Sequence, residues 1–349
     1  MDLSEIKEKY YIRYGESNNY LHYLYTGALC NLLGHAEIPH APSLTCTLSM
    51  GITMLARSLS GNAVKVQDVN SDKKLTYVPP SPPAMFKGRE RDTAEIILRL
   101  LDGKKRGAEI LFSSSMPDFL PQDNEYFLTL VKSLARVWDM EVSPFDMALH
   151  ASRGEINAQL LAAANAKSGY CTFLNEGIAQ NYPLPLTGYK IVTVFPAERP
   201  SARAVKIQAA YEKIRGKYPP VSSVYDITPG HAACLKSKTV RDYMLHLAGE
   251  NLRIKRVLGA LKRCDNKALF DEMNASQSSM ERYWQLRAEH KYLAECAKGL
   301  DGVKAVRCTN LGTVMIVETD YVDYAAGMVR REFERVRGYK PTFCVSDAV

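Results

Sequence analysis

Three clusters of the 349-residue sequence hold the residue types that chemistry needs. Ser113-Ser114-Ser115 follow the apolar run Ile110-Leu111-Phe112 and stand ahead of a helical pattern. Small hydroxyl residues before a helix N-terminus can present backbone N–H groups to a phosphate. On composition alone a plain serine loop is the stronger reading, and Pro117 and Asp118 make the place less welcoming to an anion. His35, Glu37 and His40 form the second cluster. Histidines beside a carboxylate bind metal or move protons, although a loop with incidental histidines explains them as well. His246 and Glu250 stand four apart on a helical pattern, with Arg253 and Lys255 next along it. That spacing is also the spacing of a solvated ion pair. Neither Gly-x-x-x-x-Gly-Lys-Ser nor Gly-x-Gly-x-x-Gly occurs, and no Ser-His-Asp or Cys-His constellation stands out.

The elements that must position these residues follow from periodicity and punctuation. Leu3 to Tyr14 is a short amphipathic helix ending at Gly15. Strand character follows from Tyr20 to Tyr25 and from Ser43 to Leu59, broken at Gly34 and Pro39. Val64 to Val78 reads as a strand pair, and Pro79-Pro80-Ser81-Pro82-Pro83 as a loop, since prolines cannot donate to a ladder. Apolar spacing of three and four predicts helices over Asp92–Leu101 and Asn124–Val137. A third helix begins at Ser143, a good N-cap, with Pro144 in its first turn. Strands return at Gly169–Leu174 and Tyr189–Phe195. The chain then reads as almost wholly helical from Ser201 to Ala297, before a strand at Val314–Val317, a helix at Tyr324–Arg335 and a strand at Thr342–Val345. Both halves mix the two kinds of element without regular βαβ alternation, which makes this an α+β protein. The change of character at Pro196 sets the expected domains at 1–195 and 196–349.

Bulk properties exclude more than they assign. The length suits two domains, and 46% hydrophobic with 24% charged residues is globular, not disordered, composition. A net charge of +7 fits an anionic small molecule or a plain basic surface. No basic run interleaves with aromatics, so nucleic acid is not an expected partner. The eight cysteines are scattered singly, without Cys-x-x-Cys, which argues against zinc and redox pairs and for small buried hydrophobes in a reducing compartment. Met1 to Glu5 is acidic and unlike a secretory signal. No apolar run reaches the roughly 18 residues that span a membrane, so a cytoplasmic protein without a membrane partner is expected.

Four stretches, in order, resemble galactokinases. Tyr14-Gly15 through Asn31-Leu32-Leu33-Gly34 resembles the family's opening segment, Pro-Gly-Arg-Val-Asn-Leu-Ile-Gly-Glu-His. Gly107 to Ser115 resembles a distorted Gly-Ala-Gly-Leu-Ser-Ser-Ser. His246-Leu247-Ala248-Gly249-Glu250-Asn251-Leu252-Arg253 resembles His-Val-Val-x-Glu-Asn-x-Arg, and Met273 to Met280 resembles Met-Asn-x-Ser-His-x-Ser-Leu. Gly302 to Thr309 resembles Gly-x-x-Gly-Ala-Arg-Met-Thr and leads into Tyr339-Lys340-Pro341-Thr342-Phe343. The resemblance implies the GHMP kinase fold: a ribosomal-protein-like N-terminal domain and a ferredoxin-like C-terminal domain with substrates between them. It also implies transfer of the γ-phosphoryl of MgATP to the anomeric hydroxyl of galactose, with Ser113, Ser114 and Ser115 at the nucleotide and His35 and Glu37 at the sugar.

Departures from the family pattern bear on activity. The family's arginine beside the transferring phosphoryl falls on Leu29, and its catalytic aspartate falls on Ala158, within Asn157-Ala158-Gln159. Leucine stabilises no developing charge and alanine accepts no proton. His35-Ala36-Glu37-Ile38 replaces the sugar-gripping Glu-His-x-Asp run with one residue deleted. Glu109 and Phe112 replace phosphate-loop glycines, putting a carboxylate where phosphate oxygens should lie, and the closing glycine-rich run is reduced to Asn310-Leu311-Gly312. The family's magnesium-holding glutamate has no counterpart, because several residues are missing between His150 and Glu155. A maintained core with discarded chemistry is the pattern of a pseudoenzyme acting through a protein partner, with MgATP as cofactor only if binding survives. An active kinase of another small metabolite with a rebuilt site is the alternative, and a sugar- and nucleotide-binding sensor is a third.

Overall fold

The computed structural model describes residues 3–38, 41–72, 74–152, 157–196, 207–284, 286–309 and 312–349. The chain forms two compact units that are not contiguous in sequence: Met1–Ala28 with Met50–Ala164, and Leu29–Ser49 with Asn165–Val349. Pro196 lies within the second unit.

In the first unit α1 (Leu3–Tyr14) leads into β1 (His22–Gly34), followed by β2 (Ser43–Leu59), β3 (Val64–Asp68) and β4 (Lys74–Tyr77). β1 and β2 are long strands that each give residues to both units, β1 divided after Ala28 and β2 after Ser49. Next come α2 (Gly88–Leu101), β5 (Gly107–Ser114), α3 (Asp123–Val137), α4 (Pro144–Ala151) and α5 (Ala158–Asn165). β5 pairs antiparallel with the later half of β2, from Ile52↔Ser114 to Leu59↔Gly107, and parallel with β3, which carries β4 at its other edge. The packing of α2 follows its apolar spacing: Ala94, Ile96, Ile97, Leu100 and Leu101 are all buried. Ser143 caps α4 by accepting from Asp146 N at 3.1 Å, as its residue type predicts, a contact typically contributing about 1 kcal/mol.

α1 is held by its C-terminal half. The Tyr10 and Tyr14 hydroxyls donate to the Glu109 and Ile110 carbonyls, each at 3.1 Å. The Arg57 guanidinium donates to the Tyr14 and Gly15 carbonyl oxygens at 2.7 and 2.9 Å. A cation at this end satisfies orphan carbonyls and complements the helix dipole.

The second unit continues with β6 (Tyr170–Asn175), β7 (Ile178–Pro183), β8 (Tyr189–Phe195), α6 (Ile207–Lys217), α7 (Pro229–Ala232), α8 (Lys238–Leu261) and α9 (Asn266–Tyr283). α10 (Ala288–Ala297), β9 (Val303–Cys308), β10 (Thr313–Glu318), α11 (Val322–Arg337) and β11 (Thr342–Ser346) complete it. β11, β8, β10 and β9 form an antiparallel sheet in that order. Its core takes Val192, Val194, Val306 and Met315 from the strands and Leu293, Val329 and Phe333 from the helices. A separate core gathers Ile38 and Ala41 with Ile214, Met244 and Leu247. The early half of β2 pairs with β6, and Ser49 N donates to Asp347 O at 3.0 Å, tying the last residues to β2.

β1 runs on to Gly34, well past the expected Tyr25, while the other expected helices and strands lie within a few residues of their limits. β5, β7, β9 and α5 are additions. β9 occupies the stretch that resembles Gly-x-x-Gly-Ala-Arg-Met-Thr; its Ala305, Val306, Arg307 and Cys308 are buried, and burial rewards a ladder there.

Candidate functional site

In the second unit the polar candidates converge on one cluster. β1 ends at Gly34, where φ is +70° and a Cβ would lie 2.1 Å from the Pro42 carbonyl oxygen, so glycine is required. The turn that follows presents His35 and Glu37. His35 Nδ1 lies 2.7 Å from Glu37 Oε1, and Asn31 Nδ2 donates to Glu37 Oε2 at 2.8 Å. His35 Nε2 lies 2.9 Å from His246 Nε2 on α8, and His246 Nδ1 lies 2.9 Å from Ser279 Oγ on α9. The His35 ring stacks on Trp284 with centroids 4.3 Å apart and planes 17° from parallel.

One helical turn along α8, Glu250 anchors a second layer. It accepts from Gly34 N at 2.7 Å, from Arg253 at 2.9 Å and from Arg307 at 3.3 Å. Arg307 is buried; it also donates to Ser276 Oγ at 2.8 Å and to the Asn31 and Gly34 carbonyls at 3.1 and 2.8 Å. Burial works to raise the Glu250 pKa, but the charges around it, Arg307 and Arg253 among them, outweigh it and bring it to about 2. Burial also works to raise Glu37, where the hydrogen bonds it accepts from His35 and the main chain prevail and hold it below the usual range. Burial pushes His246 well below its ordinary value, so that ring is neutral. The set can relay a proton, and Glu37, with 28% of its side chain exposed, is its most exposed charged member.

His246 and Glu250 are therefore not the solvated pair their spacing allows: they are 0% and 1% exposed. His35 is likewise no incidental loop residue. His40 lies outside the described residues. Arg307, Ser276, Ser279, Asn31 and Trp284 were missed. The signal for Ser276 and Ser279 was polar residues among the buried Leu269, Met273 and Met280 of α9, where burial demands partners.

In the first unit the serine triplet does not open a helix. Ser113 and Ser114 end β5, and α3 begins only at Asp123. Ser114 Oγ accepts from Met116 N at 3.1 Å, while Ser115 Oγ accepts from Gly51 N at 2.9 Å. Residues 115–122 contain two prolines and no glycine. The first turn of α3 carries Asp123 and Glu125, with Asp123 paired to Arg89 at 3.1 Å. These groups do not fit a triphosphate, because the backbone lacks glycine's freedom and the helix terminus already faces carboxylates. Glu109 corrects another expectation. Its carboxylate does not lie in a phosphate loop; it is buried in mid-strand, bonded to Arg57 Nε at 3.0 Å and Lys65 Nζ at 2.9 Å.

Leu29 is 4% exposed, a core residue of the second unit. Ala158, in the first, opens α5 immediately after Asn157, whose Oδ1 caps the helix through Leu160 N at 2.7 Å. The neighbouring Gln159 Oε1 accepts from Asn124 Nδ2 at 3.1 Å. Glu155, Asn310 and Leu311 lie outside the described residues. Among those described, no group of three or more His, Cys, Asp or Glu is placed to hold a metal, and no helix is long and apolar enough to cross a membrane.

Comparison with known proteins defines the fold. The chain superposes on Lactococcus lactis galactokinase, a structure complexed with galactose, with a TM-score of 0.83 at 19% identity over 99% of this chain and 98% of that one. The Methanococcus jannaschii mevalonate kinase gives a TM-score of 0.65 at 10% identity, covering 96% and 99% of the two chains. A homoserine kinase from Cytophaga hutchinsonii gives 0.59 at 13% identity over 96% and 97%. The fold is that of the GHMP small-metabolite kinases.

A galactokinase of Halalkalibacterium halodurans is 25% identical to the chain over 204 residues. That match spans 53% of this chain and about half, 52%, of the curated relative. No protein-family model matches the chain.

Proposed function

We propose that the chain is a galactokinase-like protein without phosphotransfer activity, a cytoplasmic module that acts by regulation or interaction. Its family domains would be 1–195 and 196–349. The reading is carried by Leu29 and Ala158 at the positions that resemblance assigns to the phosphoryl-binding arginine and the catalytic aspartate. Loss of a general base typically costs about two to four orders of magnitude in rate. Removing a transition-state hydrogen-bond donor costs roughly two to three.

The remaining ligand candidates support the same reading. Ser113, Ser114 and Ser115 are the candidate nucleotide contacts, yet the Ser114 and Ser115 hydroxyls are engaged with main chain. His35 and Glu37 are the candidate sugar contacts, yet they hold each other, and Trp284 covers the His35 ring. The melting temperature with and without millimolar MgATP, galactose and both tests the proposal. A ligand at a hundred times its Kd stabilises by about 2.7 kcal/mol, an easily measured shift. No shift is expected; stabilisation by both ligands together would favour an active kinase with a rebuilt site.

A further inference from the structure

The chain Ser279–His246–His35–Glu37 has a consequence that depends only on counting protons. The contact between the two Nε2 atoms, 2.9 Å, has room for one proton. Glu37 is a carboxylate, so His35 Nδ1 carries a proton and donates to it. If both rings are neutral, His35 Nε2 has only a lone pair. The proton of the central contact then sits on His246 Nε2, leaving His246 Nδ1 to accept from the Ser279 hydroxyl. This is the single arrangement in which every contact has one donor and one acceptor. One added proton can be accommodated by turning the link round, with His35 Nε2 donating, His246 Nδ1 protonated and Ser279 accepting. A second cannot. Two N–H groups would then point at each other, with two positive charges in direct contact.

The surrounding charges favour the neutral pair. Glu37 in the turn and Glu250 on α8 are negative, while Arg253 on α8 and Arg307 on β9 are positive, so the cluster is balanced before either imidazole is charged. Ser279, Trp284 and Tyr243 complete the contacts and bring no charge. Outside the cluster both histidines would take up protons near pH 6.5. Release is therefore linked to proton uptake.

We propose that the His35–His246 contact is an acid-released latch, holding the turn at residues 34–38 to α8 and α9 while neutral and letting go when both rings are protonated. The proposal does not depend on the absence of phosphotransfer. Trp284 reports the latch directly, because its ring stacks on His35. In a Trp138→Phe background, which leaves Trp284 as the sole tryptophan, emission followed from pH 8 to 4.5 is expected to shift red. The midpoint should lie below 6.5, the transition should be steeper than one proton, and far-UV circular dichroism should not change across it. His246→Gln keeps a donor toward His35 but cannot charge, and is expected to abolish the steep step. Flat emission, an unchanged step in His246→Gln, or a step that coincides with loss of circular dichroism would overturn the latch. Ring-nitrogen NMR of the unmodified protein at pH 7.5 gives an independent check should a variant fail to fold. It should find protons on His35 Nδ1 and His246 Nε2; a proton on His246 Nδ1 would contradict the proposal.

Discussion

Each unit buries one carboxylate between two cations, and the two clusters do different work. In the first, Glu109 meets Arg57 and Lys65, and Arg57 extends to the end of α1. In the second, Glu250 meets Arg253 and Arg307, and Arg307 extends to the end of β1. Both use a guanidinium to collect carbonyl oxygens at the end of an element, where a planar fork of donors suits them. The second alone carries imidazoles. A carboxylate with arginine and lysine keeps its charges across the neutral range, whereas adding His35 and His246 makes the assembly respond to mild acid. Similar ion pairing serves as a fastener in one place and a titratable site in the other.

The comparison breaks hardest at Arg307. Arg307→Ala leaves Glu250 buried without its deepest partner and strands two carbonyls, and should cost about 3–5 kcal/mol in urea unfolding. Arg57→Ala should cost less, about 1–3 kcal/mol, because Lys65 still neutralises Glu109 and the freed carbonyls lie near solvent. Equal losses would erase the distinction between the two clusters.

Acid separates them next. The folded pKa of His246 is below its unfolded value. The unfolded chain therefore binds the proton first, and stability is full above about pH 6.5 and falls as the pH drops below it. Each unit of difference is worth about 1.4 kcal/mol. Glu109 is also depressed, from 4.5: burial works upward, but the hydrogen bonds and charges of Lys65 and Arg57 overcome it. Its contribution is present above pH 4.5 and lost below. Melting temperatures between pH 6.5 and 5 should fall for the wild type and fall less for His246→Gln; parallel curves would remove His246 as the cause. The smallest expected effect is Ser279→Ala, which leaves one imidazole nitrogen unpaired at a cost of about 1 kcal/mol in the same unfolding measurement.

Much of the fold was legible because local signals agreed with the tertiary outcome. Ser143 and Pro144 started α4 where caps and proline predict, and β2 and β8 have the expected limits. β9 was hidden because its residues resembled a glycine-rich motif, and a ladder depends on a partner, β10, that local sequence does not contain. The site was half legible. His35, Glu37, His246 and Glu250 were visible as chemical types, but 211 positions separate the two histidines and pattern cannot pair them. Their burial decided between solvated pair and coupled cluster. The serine triplet was misplaced against its helix for a related reason: Ile110-Leu111-Phe112 continues as strand through Ser114, since β2 and β3 flank it on both sides.

Transfer of labelled γ-phosphoryl from MgATP to galactose and a panel of related sugars tests the central claim most directly. The account predicts no sugar phosphate above the protein-free background for the wild-type chain. Steady, MgATP-dependent formation of a sugar phosphate by the purified protein would contradict it and show that Leu29 and Ala158 have been replaced in function by other residues.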